Sequence, residues 1–215
     1  MPDPTLMPAI EAALKANEGG QPYALSFAGK GSSGASFGLF QADTAANPNA
    51  LATLRAVLAG AGMDPGQMQG ILAAVSVPCP VDPLSPADLQ ATDAALSSPQ
   101  GRALVDALDD HSLARVGADL DLATNAASAA GASIATAGQL AICLWCNMSG
   151  APTMLLTWLG GSAVNEPGGN VAPPGNPVTL DDVQRYLSDT GFFTAHPQNL
   201  AHFTASVAVG EALAP

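Results

Sequence analysis

Apolar residues recur three or four positions apart along most of the chain, which is the spacing of one face of an α-helix. Proline directly follows Asp, Asn or Ser before several of these segments, as is typical of a helix N-cap and first helical position. These start signals are Asp3-Pro4, Asn47-Pro48, Asp64-Pro65, Ser85-Pro86 and Ser98-Pro99. Helical periodicity returns over residues 134–147, 151–159 and 197–212, and Thr179 opens a capping box with Asp182. The pattern predicts about eight to ten helices.

Two glycine-rich regions do not follow the helical pattern. Residues 19–42 hold six glycines, and the alternation in Tyr23-Ala24-Leu25-Ser26-Phe27 predicts a short strand. Residues 160–178 are rich in Gly, Pro and Asn and predict a long loop. We therefore expect a mainly α fold with a small β-region near residues 20–42. A chain of 215 residues is long enough to bury a sizeable core as a single domain over residues 1–215.

The composition excludes or disfavours several classes of protein. With 48% apolar and 11% charged residues, the chain is too apolar to be disordered. The net charge of −12 comes with only six Lys and Arg residues, and these are scattered, so nucleic-acid binding is disfavoured. The acidity suits solubility, and it would also attract a polycation such as deacetylated chitin.

The cysteines and an uncharged central stretch are both interpreted as parts of the buried core. Cys143 and Cys146 match C-x-x-C, but Cys79 stands alone and no histidine lies at ligand spacing, so small buried hydrophobes are favoured over a zinc site. No charged residue lies between Asp121 and Glu166, and polar residues interrupt that stretch, which favours buried helices over a membrane span. We expect a monomer that needs no metal or organic cofactor.

Two carboxylates bracket the first glycine-rich region. Glu18 stands where the first helix is predicted to end, just before Gly19, and Asp43 follows 25 residues later. Cleavage of a glycosidic bond commonly uses two carboxyl groups, one protonated and one ionised. A purely structural Glu at a helix C-terminus is disfavoured by the helix dipole. For Asp43 two interpretations are open: it activates a water molecule, or it caps a turn or the next helix.

Here the sequence resembles a known family. Glu18 followed by Ser33-Gly34-Ala35-Ser36-Phe37-Gly38-Leu39-Phe40-Gln41-Ala42-Asp43 is similar to the active-site segment of the lysozyme-like superfamily. The pattern resembles that of goose-type lysozymes and soluble lytic transglycosylases, in which a catalytic Glu ends a helix and a G-(x)-G-L-M-Q motif follows. The resemblance covers about residues 10 to 45. It implies a lysozyme-like fold, Glu18 as the acid, Asp43 as a candidate base, and a sugar site lined by Gln41 and by the backbone of Ser36, Phe37, Gly38 and Leu39.

Other aromatic and polar side chains are candidates for sugar contacts. Tyr23 could stack on a sugar ring. Asn147 could bond to a sugar hydroxyl, with capping of a helix C-terminus as the alternative. The remaining large aromatic candidates are Trp145, Trp158, Phe192 and Phe193. The two tryptophans are favoured as core residues.

Two further acidic positions stand outside the segment. Glu166, in the predicted long loop, is an alternative second carboxylate if Asp43 only caps a turn. The run Asp109-Asp110-His111 is interpreted as a solvated helix face, because charged residues on helices usually face water.

The sequence therefore predicts a glycoside hydrolase that cleaves a β-1,4-linked amino-sugar polymer, either peptidoglycan or chitin and chitosan, by inversion. Glu18 protonates the leaving oxygen and Asp43 activates water. One alternative is a non-catalytic glycan-binding or exported interaction protein on the same fold, and another is a lytic transglycosylase that uses Glu18 alone. Such a protein would act on extracellular or cell-envelope glycan, although no signal peptide is evident at the N-terminus.

Overall fold

The computed structural model describes residues 4–29, 33–79 and 81–215. In this part of the chain the fold is mainly α, as predicted: 62% is helical, with ten helices and two small sheets of three and two strands. Backbone contacts group the chain into two compact units. The Glu18 unit is Glu18–Ser112, and the terminal unit is Met1–Asn17 with Leu113–Pro215. The single domain over residues 1–215 stays a prediction.

The Glu18 unit contains a three-stranded antiparallel sheet in the order β1-β2-β3, followed by helices. Its elements are β1 (Ser26–Phe27), β2 (Ala35–Phe37), β3 (Ala42–Asp43), α2 (Pro48–Gly60), α3 (Pro65–Val75), α4 (Pro86–Ser97) and the first part of α5 (Pro99–Ala129). Along β2, Ala35 and Phe37 are buried and Ser36 is half-buried. Because side chains alternate along a strand, one face of β2 packs into the aliphatic core formed by these helices.

Side-chain caps begin several helices where the sequence predicts them. Asn47, Asp64 and Ser85 accept backbone N–H groups from the first turns of α2, α3 and α4 at 2.9–3.4 Å. Such bonds satisfy N–H groups that a helix start leaves open. The predicted capping box of Thr179 and Asp182 is also confirmed. The predicted cap Asp3 lies outside the described residues.

The terminal unit is helical apart from one β-hairpin. Its elements are α1 (Met7–Glu18, whose last residue belongs to the Glu18 unit), the rest of α5, α6 (Thr136–Ser149), α7 (Thr153–Leu159), β4 (Val164–Glu166), β5 (Gly169–Val171), α8 (Leu180–Asp189), α9 (Gly191–Ala195) and α10 (Asn199–Glu211). Aromatic rings fill its core: the ring centroids of Trp158 and Tyr186 are 4.9 Å apart, and those of Phe193 and Phe203 are 5.6 Å apart. The four side chains are at most 2% exposed.

The uncharged stretch forms the buried helices α6 and α7, as predicted. Among the described residues, no helix has the length and apolar character that crossing a membrane requires. All three cysteines are buried and free. Burial raises the pKa of the Cys146 thiol to about 12 and that of Cys143 well above its usual value. These thiols stay protonated at neutral pH, which fits small core residues.

One local prediction is wrong and a second is confirmed only in part. Residues 160–178 are not one long loop, because β4 and β5 pair as an antiparallel hairpin, with Val164 opposite Val171. Strands of three residues are too short to show a period in the sequence. The strand predicted over residues 23–27 is limited to β1, because the N–H of Ala24 donates to Gln21 O at 3.4 Å in a turn just before it.

Candidate functional site

Glu18 is the last residue of α1, as the sequence predicts. Its side chain is half-buried. Gly19 follows with φ +62°, in the left-handed region that ends many helices and that glycine adopts without strain. The helix therefore stops directly after Glu18, and the backbone on both sides of this carboxyl group has a defined direction.

The motif Gly38-Leu39-Phe40-Gln41 is the turn that joins β2 to β3, and we call it the motif turn. Phe37 pairs with Ala42 across it. Gly38 has φ +81° and Gln41 has φ 48°, and the N–H of Gln41 donates to Gly38 O at 3.2 Å. A positive φ is uncommon outside glycine, so the conformation of Gln41 needs support from its contacts.

The side chain of Gln41 supplies part of that support. Its Nε2 donates to Gly38 O at 3.0 Å, and its Oε1 accepts the hydroxyl of Ser26. Ser26 Oγ also approaches Ser36 O at 3.2 Å. The amide of Gln41 is thus fixed from both ends inside the hairpin.

The chain segment after Glu18 packs directly on the motif turn. The N–H of Gly38 donates to Pro22 O at 2.8 Å. A Cβ placed on Gly20 would overlap the side-chain amide of Gln41. The absence of a side chain on Gly20 leaves room for this approach, so Gln41 lies next to the backbone two residues after Glu18.

Asp43, at the end of β3, is anchored through one oxygen. Its Oδ1 accepts the N–H groups of Gly34 at 3.0 Å, Ala45 at 2.7 Å and Ala46 at 3.3 Å. These bonds are the turn-capping contacts that one interpretation of Asp43 predicts. Its Oδ2 accepts no hydrogen bond from the described residues, so the same carboxylate presents one anchored oxygen and one that is available.

Tyr23 is engaged with α5. Its hydroxyl donates to Asp106 Oδ1 at 2.7 Å, and the Arg102 guanidinium carbon lies 4.7 Å from its ring centroid. The bond to Asp106 and burial raise the pKa of the Tyr23 hydroxyl. One face of the ring is covered by Arg102, so a sugar could stack only on the other face.

The remaining predicted site residues differ in accessibility. Ser36 is half-buried and pairs with Ser26 and Asp43 in the sheet. Phe37 is fully buried, so only its backbone is placed to meet a ligand. Asn147 is half-buried near the end of α6, in the terminal unit, whereas every other predicted site residue belongs to the Glu18 unit.

The prediction that Asp109 lies on a solvated helix face is wrong. Its side chain is 9% exposed, whereas Asp110 and His111 are exposed. Its Oδ2 accepts the N–H of Leu39 at 2.8 Å, and its Oδ1 lies 3.5 Å from the N–H of Phe40. Burial raises the pKa of Asp109 to about 6, although the two N–H bonds lower it.

A sequence signal for Asp109 did exist. Val105, Asp109, Ser112 and Val116 are all buried and follow one another by four, three and four positions on α5. This is the spacing of one helix face, so Asp109 falls on the apolar stripe. A carboxylate on such a stripe needs hydrogen-bond partners, and the motif turn provides them.

The terminal unit holds a further candidate carboxylate, Glu166, and the remaining large aromatic candidates. The carboxylate of Glu166 accepts the hydroxyl of Tyr186 at 2.8 Å. Trp158 is fully buried and Trp145 is 8% exposed, which confirms both as core residues. Phe192 is 37% exposed and is the one of these aromatics with substantial access to solvent.

No metal centre is evident in the described residues, which contain no group of three or more His, Cys, Asp or Glu side chains placed to hold an ion. In comparisons with family models, with curated proteins and with solved structures, no significant match to this chain is found. The resemblance to the lysozyme-like superfamily is therefore carried by residues 10 to 45 alone, and the function is proposed from these residues and their local geometry.

Proposed function

We propose that this protein is a glycoside hydrolase that cleaves a β-1,4-linked amino-sugar polymer, with Glu18 as general acid and Asp43 as general base. The observation that carries the proposal is the contact of the segment after Glu18 with the motif turn, through Gly20 on Gln41 and Gly38 on Pro22. In this contact the backbone that follows Glu18 lies against the hairpin that bears Gln41 and Asp43. A polysaccharide is the substrate class for which two separated carboxyl groups are suited.

Glu18 is suited to the acid role by its position. A general acid must stay at a fixed distance from the leaving oxygen, and a half-buried side chain on the last turn of a helix meets that need. The helix C-terminus also disfavours a negative charge there by a few tenths to about 1 kcal/mol, which favours the protonated form that an acid requires.

Asp43 is suited to the base role by its anchoring. Three N–H donors fix Oδ1, so Oδ2 has a defined direction and can orient a water molecule. In an inverting hydrolase the two carboxyl groups are roughly 6.5–9.5 Å apart, which leaves room for that water. Gln41, two residues before Asp43, would then bond to the sugar from the floor of the site.

A matched pair of substitutions in α1 tests the acid role. Glu18→Gln keeps the shape of the side chain but cannot donate the proton, so release of reducing ends from peptidoglycan, chitin or chitosan should fall about 10²–10⁴-fold. Glu11→Gln, at an exposed position of the same helix, should retain activity. Full activity of the Glu18 variant on every polymer that the unaltered protein cleaves would refute the proposal.

A lytic transglycosylase that uses Glu18 alone is the second candidate, because Asp43 already has a structural task in binding three N–H groups. The products separate the two reactions. A hydrolase releases reducing ends, whereas a transglycosylase forms anhydro products without them. Asp43→Asn should abolish hydrolysis if Asp43 is the base, and should leave transglycosylation nearly intact if it only caps the turn.

A further inference from the structure

Besides the bond from the N–H of Gly38 to Pro22 O, a carboxylate from outside the hairpin supports the motif turn. Successive backbone N–H groups in a turn form a concavity that binds anions. The N–H groups of Leu39 and Phe40 form such a pair, and the Asp109 carboxylate, from the middle of α5, lies against them. Asp109 therefore occupies the position that a bound anion would take in an open turn.

Gly38 is adapted to this carboxylate. A Cβ on Gly38 would lie 2.7 Å from Asp109 Oδ1, which is closer than real Cβ contacts. The φ of +81° would be strained in any other residue as well. The first residue of the motif turn thus has two independent reasons to be glycine, and one of them is Asp109.

We propose that Asp109 is a positioning residue for the Glu18 site: its carboxylate fixes the motif turn, and through the turn it fixes Gln41. The chain of contacts has three steps. Asp109 holds the N–H groups of Leu39 and Phe40, the turn holds Gln41 at positive φ, and Gln41 lies against Gly20 after Glu18. The contacts alone show that Asp109 supports the turn, and the consequence for catalysis rests on the proposed function.

The support depends on the charge of Asp109, because an ionised carboxylate is a stronger acceptor than a protonated one. The charged groups that act on Asp109 are Asp106 and Asp110 on α5, and both raise its pKa. From the described part of the glycine-rich region, Tyr23, whose hydroxyl is bonded to Asp106, is a neighbouring titratable group. With a pKa of about 6, Asp109 loses its charge in mildly acidic solution. Its bonds to the two N–H groups of the motif turn then weaken, and the turn should loosen locally. The folded unit as a whole is nevertheless stabilised by protonation, because burial affects this pKa more than the two bonds do.

Nuclear magnetic resonance of the full chain tests the turn directly. The backbone amide of Leu39 should shift with pH with a midpoint near 6, and this titration should vanish in Asp109→Asn. The control Asp110→Asn should keep the titration with a lower midpoint, because it removes a charge that raises the pKa. Persistence of the Leu39 titration in Asp109→Asn, or its absence between pH 4 and pH 8 in the unaltered protein, would overturn the proposal. If Asp109→Asn does not fold, the titration of the Leu39 amide in the unaltered protein and in Asp110→Asn tests the proposal.

Saccharide binding tests the functional consequence. In a Glu18→Gln background, binding of an oligomer of chitin, chitosan or peptidoglycan should weaken about tenfold from pH 7.5 to pH 5, the equivalent of one lost charge-assisted hydrogen bond. The added Asp109→Asn change should remove this pH dependence, whereas Asp110→Asn should not. Equal pH dependence with and without Asp109 contradicts its positioning role. If no oligomer binds at either pH, the proposed function fails, and the Leu39 titration still decides whether Asp109 holds the turn.

Discussion

The glycine-rich region of the Glu18 unit and the aromatic core of the terminal unit are held by different chemistry. In the Glu18 unit, the carboxylates of Asp43, Asp93 and Asp109 accept backbone N–H groups of the glycine-rich region. In the terminal unit, packed rings such as Trp158 and Tyr186 fill the core beside the β4–β5 hairpin. Ring packing depends on buried area, whereas a hydrogen bond to a carboxylate depends on direction and charge. The region with the candidate chemistry is thus held in defined positions by hydrogen bonds to carboxylates.

The largest expected effect lies in the terminal unit. Trp158→Ala should lower the free energy of unfolding by about 3–5 kcal/mol, because it empties a fully buried site and removes the bond of Nε1 to Ala172 O at 2.8 Å. The loss should be the same at pH 5 and pH 7.5. Fluorescence of Trp145, the other tryptophan, reports urea unfolding of this unit. Phe192→Ala, at a partly exposed ring, should cost only about 1 kcal/mol.

The second effect is the pH dependence that Asp109 gives to the Glu18 unit. Folding raises the pKa of Asp109 from 3.8 to about 6, so the folded state favours the protonated carboxyl group. The resulting contribution to the free energy of unfolding is complete below pH 3.8 and is lost as the pH rises through 6. Between pH 4 and pH 7.5 the free energy of unfolding should therefore fall by about 2 kcal/mol more in the unaltered protein than in Asp109→Asn. Urea unfolding followed by circular dichroism measures both. An equal fall of the free energy of unfolding in the two proteins would contradict the role given to the Asp109 carboxylate in the Glu18 unit.

A third prediction separates backbone strain from the contact with Asp109. Gly38→Ala should cost about 2 kcal/mol, because it adds a strained φ and a Cβ 2.7 Å from Asp109 Oδ1. Gly62→Ala is the matched control in the same unit: its φ is +72°, but a Cβ there meets nothing within 4 Å. Its cost should be about 1 kcal/mol. Equal costs in urea unfolding would show that the carboxylate contributes nothing to the requirement for Gly38.

The smallest effect on stability is expected at Asp43. Two substitutions at this position distinguish a role in capping the turn from a role as general base. Asp43→Ala removes the acceptor of three N–H groups and should cost about 1 kcal/mol, whereas Asp43→Asn keeps an acceptor and should cost less. If Asp43 is also the base, kcat for reducing-end release should fall about 10²-fold or more in both variants. A kcat that falls only in the alanine variant would assign Asp43 to capping.

Much of the fold was predictable because local signals in this chain are strong. Helix starts at Asn47, Asp64 and Ser85 are signalled by a capping side chain followed by proline, and each forms. The end of α1 at Glu18 is signalled by the two glycines that follow. The β4–β5 hairpin was missed because strands of three residues have no detectable alternation.

The sequence by itself determined the helices, their caps, the turn glycines and the placement of Glu18 and Asp43 at either end of the glycine-rich region, because these depend on residues a few positions apart. Only the tertiary structure decided which carboxylates face water and which face the backbone. Asp109 and Leu39 are 70 positions apart, and no local rule connects them. Their contact exists because one face of α5 is buried and the turn offers two N–H groups to the only acidic side chain on that stripe between Val105 and Val116.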